Sequence, residues 1–180
     1  TNYHRVVLNT LSIVEFWKTK LLQENFSDNY IEKCRLATYW LYYLVDETTG
    51  DTLNLGANDG SNPFIFQNAD YRDFRPSVQL ASVLFLQKKF YENSPLINEP
   101  LEWLSIEHTD VISSKIAVKS ILLADSGIVK IKSNNFKSTG FIKYPNYKFR
   151  PNQADLLHFD LWHEGENILR DAGSFSYNCD

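Results

Sequence analysis

The sequence of 180 residues contains no methionine and only two cysteines, Cys34 and Cys179. Two cysteines cannot form a disulfide framework or a four-cysteine zinc site, and they do not indicate a compartment. No apolar run approaches the roughly 20 residues that a membrane-spanning helix needs, so no membrane span is expected. Because neither an initiator methionine nor a signal peptide precedes the first helical pattern, we expect a piece of a longer or processed chain.

The sequence also lacks an excess of positive charge, since 18 Lys+Arg stand against 22 Asp+Glu and give a net charge of −4. Proteins that bind nucleic acids concentrate positive charge, so no nucleic-acid partner is expected. Hydrophobic residues make up 43% of the chain, which is a globular composition. Aromatic residues reach 14%, a share that suits either a large core or a surface that stacks on sugars or bases.

The first half of the sequence has the periodicity of helices. From Tyr3 to Leu22, apolar residues recur every three or four positions and form one face of an amphipathic helix. A second helix is expected after the N-cap residues Ser27 and Asp28. A long loop over 46–73 then precedes two more helices. One is expected from Pro76 to about Tyr91 with most of its sides buried, and a short one from near Pro100 to before Ser113.

After residue 119 the period becomes two, which indicates strands separated by turns at 125–127, 133–135 and 164–165. Residues 157–162 (LHFDLW) alternate apolar and polar side chains, as a half-buried strand does. Helices followed by antiparallel strands predict an α+β protein. We place a helical part at 1–112 and a β part at 113–180.

Few residues combine into recognisable chemistry. Tyr3 and His4 open a helix, where the positive end of the dipole favours proton transfer, although an ordinary exposed helix start has the same pattern. Arg72 and Arg75 precede the third helix as either carboxylate contacts or an ion-paired cap that holds the loop. His158 and Asp160 share one strand face, a spacing that fits two metal ligands or one hydrogen-bonded structural histidine.

Six segments together resemble the heparinase II/III-like family of polysaccharide lyases and their bacterial relatives. They are residues 2–4 (NYH), 56–60 (GANDG), 70–76 (DYRDFRP), 149–155 (FRPNQAD), 157–162 (LHFDLW) and 167–177 (NILRDAGSFSY). The resemblance implies the last helices of an α/α toroid followed by the first strands of an antiparallel β-sandwich domain. It also implies an acidic polysaccharide partner and a location in the bacterial periplasm or cytoplasm, between which the sequence does not choose.

The family cleaves uronate-containing polysaccharides by β-elimination. The resemblance makes Tyr3 the proton-transfer residue and His4 its catalytic neighbour. We expect substrate contacts at Asn58, Asp59, Arg72, Arg75, Arg150 and Gln153, the arginines because a guanidinium pairs with a carboxylate in two-point geometry. The resemblance places Asp171 at a family metal position. The carboxylate-neutralising residue of the family lies upstream of Tyr3, so the isolated chain is expected to be inactive.

The sequence departs from the family at the His-x-His-x-Asp pattern. Pro151 stands at the position of the catalytic histidine, and a proline cannot carry a proton. Gln153 replaces the histidine that binds structural zinc, so no cofactor is expected. Two functions therefore stay open: a polysaccharide lyase, or a relative that binds acidic polysaccharide or serves polysaccharide assembly without catalysis.

Overall fold

The computed structural model describes residues 1–21, 24–64, 66–117, 119–146 and 156–172. In these residues four helices precede five antiparallel strands, which confirms an α+β fold with the helices first. The helices are α1 (Asn2–Leu21), α2 (Asp28–Leu44), α3 (Arg75–Leu86) and α4 (Pro95–Trp103). The strands are β1 (Ile121–Leu123), β2 (Ile128–Lys132), β3 (Ser138–Lys143), β4 (Phe159–His163) and β5 (Glu166–Leu169).

The helix α1 packs with its polar side inward, which the apolar periodicity does not predict. It lies against α2 and α3 and buries Leu8 together with polar residues that include Arg5, Ser12 and Glu15. On the opposite side, Val7, Val14, Trp17 and Leu21 are 40% to 67% exposed. Among the helices of the described residues, none has the length and hydropathy of a membrane span.

The second helix begins as its capping residues predict, because Ser27 Oγ accepts a hydrogen bond from the backbone N–H of Tyr30. Its buried residues include Cys34, Thr38 and Leu41, which recur every three or four positions and so form one face of the helix.

The third helix is buried on most sides, as predicted, but it ends at Leu86 rather than near Tyr91. Gln87 adopts a left-handed conformation (φ 53°) that stops the helix. The chain then runs past the buried side chain of Gln79, whose Oε1 accepts the backbone N–H groups of Phe90 and Tyr91. The side-chain amide of Gln79 thus accepts the two N–H groups that backbone carbonyl oxygens would accept if the helix continued to Tyr91.

The fourth helix begins at Pro95, so the expected start near Pro100 is wrong by one and a half turns. Ser94 is the N-cap residue and Pro95 occupies the first turn, which is a position that proline favours. Pro100 lies inside the helix, which is only 9 residues long.

The long loop after α2 is folded back on the start of α3. Gly50 adopts a left-handed conformation (φ 81°), and a Cβ atom there would lie 2.0 Å from Asp73 Oδ1. Its carbonyl oxygen accepts the N–H of Phe74 at 2.8 Å. Only glycine allows this close approach, so Gly50 fixes where the two ends of the loop meet.

The five strands form a meander in the order β1-β2-β3-β4-β5, so each strand pairs with its neighbour in sequence. Strand β4 is half-buried, but its inward face carries Asp160 and Trp162, while Leu157 and Phe159 are exposed. The Trp162 ring belongs to the core cluster that contains Leu44 of α2. Because side chains alternate along a strand, placing Trp162 inside also buries Asp160.

The sheet and the helices share this core cluster, and a buried lysine adds a polar contact between them. Lys130 on β2 is 2% exposed, and its Nζ donates a hydrogen bond to the carbonyl oxygen of Tyr43 in the last turn of α2. The Nζ atom also lies 5.2 Å from the centre of the Phe141 ring. A cation at this end of α2 complements the helix dipole. Burial and the nearby Lys132 charge nevertheless lower the pKa of Lys130 to about 7.

We expect the Lys130→Met variant to lose part of the pH dependence of stability. Between pH 7 and the ordinary lysine pKa, the unfolded chain binds a proton that the native lysine does not hold. The free energy of unfolding therefore rises with pH in this window, by up to about 1.4 kcal/mol per pH unit. Urea denaturation at pH 7 and pH 9 measures the slope, with Lys33→Met, at an exposed position of α2, as the control. Equal slopes for wild type and Lys130→Met would contradict this account.

Candidate functional site

The first turn of α1 presents Tyr3 to solvent next to the loop. The side chain of Tyr3 is 46% exposed. Its Oη donates a hydrogen bond to Asp59 Oδ2 at 2.7 Å, across 56 positions of sequence. The structure therefore brings together two of the residues that the resemblance selected.

The loop around Asp59 is held by short-range turns and by contacts with α1. Asn58 Oδ1 accepts the N–H of Gly60 at 3.1 Å, and Asp59 Oδ1 accepts the N–H of Ser61 at 3.0 Å. Asn2 Nδ2 donates to the carbonyl oxygen of Ser61 at 2.9 Å. Asn and Asp form such turns readily, which explains why this segment folds compactly without regular secondary structure.

A second tyrosine completes the arrangement, since Tyr71 Oη donates to Asn58 Oδ1 at 2.7 Å. We call Tyr3, Asn58, Asp59 and Tyr71 the tyrosine cluster. Its two phenols contact adjacent loop residues, one on an amide oxygen and one on a carboxylate.

The tyrosine cluster favours a phenol that keeps its proton at rest. The hydroxyl of Tyr3 and the N–H of Ser61 lower the pKa of Asp59, so this carboxylate stays ionised. A phenol that donates to a carboxylate is oriented and protonated, which suits a proton donor better than a base.

His4 has a different environment from Tyr3 although it is the next residue. Its Nε2 lies 2.9 Å from the carbonyl oxygen of Ala37, and its ring centre lies 4.3 Å from that of Trp40. Burial lowers the pKa of His4, so the ring is neutral and donates through Nε2. This geometry joins α1 to α2, and a catalytic role for His4 stays a prediction.

Arg72 and Arg75 are both engaged by carboxylates of the chain itself. Arg72 pairs with Asp51 and donates to the carbonyl oxygen of Thr52 at 2.7 Å. Arg75 contacts both carboxylate oxygens of Asp73, at 2.9 and 2.8 Å, which raises the pKa of Arg75. The ion-paired cap, one of the two alternatives left open by the sequence, is the arrangement in the structure. Their contact with a substrate stays a prediction.

Other residues selected from the sequence have no described place in the tyrosine cluster. Arg150, Pro151 and Gln153 lie outside the described residues. His158 Nε2 is 3.5 Å from Asp160 Oδ2, and burial raises the pKa of Asp160. Within the part of the chain that the structure describes, which includes Asp171, no three His, Cys, Asp or Glu side chains are grouped to hold a metal ion.

The sequence analysis did not identify Arg5, which is fully buried. Its guanidinium donates to Asn2 Oδ1 at 2.6 Å and to the carbonyl oxygen of Tyr71. It also lies 4.6 Å from the Tyr71 ring centre and 4.4 Å from that of Phe74. The sequence shows only that Arg5 lies opposite the apolar face of α1. In an ordinary amphipathic helix that side faces solvent, so the pattern gives no indication that Arg5 is buried.

Comparisons with family models, curated proteins and solved structures find no match to this chain.

We expect His4→Ala to lower the free energy of unfolding by about 2 kcal/mol, because it removes the ring contact with Trp40 and the hydrogen bond to Ala37. Tyr3→Phe should lower it by less than about 1 kcal/mol, since it removes one exposed hydroxyl. Urea denaturation of both variants measures the difference. A larger loss for Tyr3→Phe than for His4→Ala would show that the two roles are assigned the wrong way round.

Proposed function

We propose that this chain is part of a heparinase II/III-like protein that binds acidic polysaccharide and cleaves it at uronate residues by β-elimination. In this proposal α1 to α4 are the last helices of an α/α toroid, and β1 to β5 begin the antiparallel β-sandwich domain. The observation that carries it is the exposed Tyr3 hydroxyl, held 2.7 Å from Asp59 at the first turn of α1.

β-Elimination needs three contributions from a protein. The uronate carboxylate must be neutralised, the C5 proton must be removed by a base, and the departing glycosidic oxygen must receive a proton. Tyr3 fits the third of these steps. When a substrate oxygen replaces Asp59 as the acceptor, the phenol proton moves to that oxygen as the glycosidic bond breaks. The phenolate that remains takes the C5 proton, which restores the phenol. Asp59 keeps the phenol protonated and aligned between turnovers.

A second candidate function is binding of acidic polysaccharide without cleavage, as in a scaffold retained for polysaccharide assembly. The specific observation in its favour is Pro151, which cannot act as a base at the family's histidine position. The guanidiniums of Arg72 and Arg75 are already paired with Asp51 and Asp73, so neither is free to neutralise the uronate carboxylate for elimination.

We expect Tyr3→Phe to reduce the elimination rate of the intact protein by about 100- to 10,000-fold, the usual range for a positioned acid or base. The assay incubates the protein with a panel of uronate polysaccharides and follows the absorbance of unsaturated uronate products.

The matched control is Tyr71→Phe, which removes the other phenol hydroxyl of the tyrosine cluster. If Tyr3 only anchors the loop, both variants should lose activity to a similar extent. An active wild type whose Tyr3→Phe variant keeps its full rate would remove Tyr3 from the mechanism. A wild type that binds uronate polysaccharide but releases no unsaturated product would support the second candidate.

A further inference from the structure

A cleft of about 590 Å³ lies between the segment after α2 and the β2–β3 hairpin. This volume is in the range of small-molecule sites, roughly 300 to 1,000 Å³. Its lining includes Glu47, Lys115, Lys132, Phe136 and Glu164. We propose that this cleft binds an unsulfated acidic sugar, with Lys132 on the carboxylate and Phe136 against the sugar ring. The inference deepens the proposed function and rests on it for the ligand class.

Among the residues that the structure describes, the charges around the cleft leave one cation available. Lys115 pairs with Glu47, and Lys137 pairs with Glu164 at 2.5 Å. The carboxylate of Asp46 accepts hydrogen bonds from the residues of its own turn, Thr48 and Thr49. Lys132 makes no ion pair with any residue that the structure describes, and its charge helps to lower the pKa of Lys130.

The ammonium group of Lys132, which has no ion-pair partner among the described residues, determines the kind of anion that fits. One carboxylate can pair with Lys132 without breaking either neighbouring ion pair. A sulfated sugar brings several negative charges next to Glu47, Glu164 and Asp46, which would be repelled. The balance of charges therefore favours a ligand with one carboxylate per sugar and no sulfate groups.

Phe136 supplies an aromatic surface at the rim of the cleft. Its side chain is 59% exposed and its φ angle is 59°, a left-handed conformation that is rare for a bulky residue. The turn fixes it there, because Phe136 N–H donates to Ser133 O at 2.9 Å and Lys137 N–H donates to Asn135 Oδ1 at 3.1 Å. Glycine would adopt this left-handed conformation without strain, so the stability of the turn does not explain a phenylalanine at position 136.

The floor of the cleft combines an aromatic ring with polar groups. Trp162 and Thr139, which pair across β3 and β4, line it and are 3% and 8% exposed. Sugar rings offer apolar C–H faces and hydroxyl edges, so aromatic rings beside charged and hydroxyl groups can contact both.

The test is titration calorimetry of the intact protein with an oligogalacturonate, with the same oligosaccharide after carboxyl reduction, and with a sulfated uronate oligosaccharide. We expect the unsulfated acidic ligand to bind most tightly. Lys132→Gln should weaken its binding about fivefold and abolish the preference over the reduced ligand. Phe136→Ala should weaken both ligands about tenfold, as loss of a stacking ring does elsewhere.

Two variants at other exposed positions are the controls, Lys33→Gln on α2 and Trp17→Ala on α1, and both should bind as wild type does. Melting temperatures verify that each variant is folded. Wild-type affinity in both Lys132→Gln and Phe136→Ala would overturn the cleft assignment, and so would tighter binding of the sulfated ligand.

The outcome for the cleft is separable from that for the lyase reaction. Tyr3→Phe should retain oligogalacturonate binding while losing elimination. Cleavage by wild type that is unaffected in the Lys132 and Phe136 variants would reject the cleft and leave the lyase proposal standing. Binding that depends on both residues, without any cleavage, would support the cleft and reject the lyase. Absence of binding to every probe would reject the cleft, whatever the elimination assay shows.

Discussion

The burial of one guanidinium group, that of Arg5, constrains where the end of the loop between α2 and α3 lies. Its partners among the described residues are neutral: Asn2 Oδ1, the carbonyl oxygen of Tyr71 and the rings of Tyr71 and Phe74. A buried cation without such partners would be strongly destabilising, so the 71–74 segment must lie against the first turn of α1. Tyr71 also donates a hydrogen bond to Asn58. The position of Tyr71 against Arg5 therefore also places the next residue, Asp59, beside Tyr3.

A second junction connects the helices to the sheet. Lys130 donates to the last turn of α2, while Leu44, Ile128 and Trp162 share one core cluster. The chain leaves α2 directly into residues 46–48, which form one wall of the cleft, and β2 leads directly into the hairpin that forms the other. The two walls are therefore held in place by the contact between α2 and β2. A polar cleft results where two layers of secondary structure meet, a common location for binding sites.

Local patterns in the sequence predict elements better than they predict which face is buried. The structure contains the helix predicted at the start of the chain, the N-cap at Ser27 and the change from helices to strands. The inward face of α1 is polar because Arg5 finds its partners in a loop that no helical period describes. Trp162 likewise turns β4 toward the helices, which spacing alone does not indicate. The pairing of Tyr3 with Asp59 spans 56 positions, so it depends on the tertiary fold, and only the resemblance placed both residues in one site.

The number of residues that separates two contacting positions affects which part of the molecule unfolds first. Each strand of the meander pairs with its neighbour, and β4 and β5 close over a turn of two residues. The start of α1 is instead secured by Leu55, which contacts Thr1 across 54 positions, and by Tyr71, which contacts Arg5 across 66 positions. Closing such long loops has an entropic cost that short hairpins avoid. Subglobal opening, as amide hydrogen exchange detects it, is therefore expected to release the start of α1 first. Tyr3 would then separate from Asp59 while the sheet is still folded, so heat would take the tyrosine cluster apart before it melts the protein.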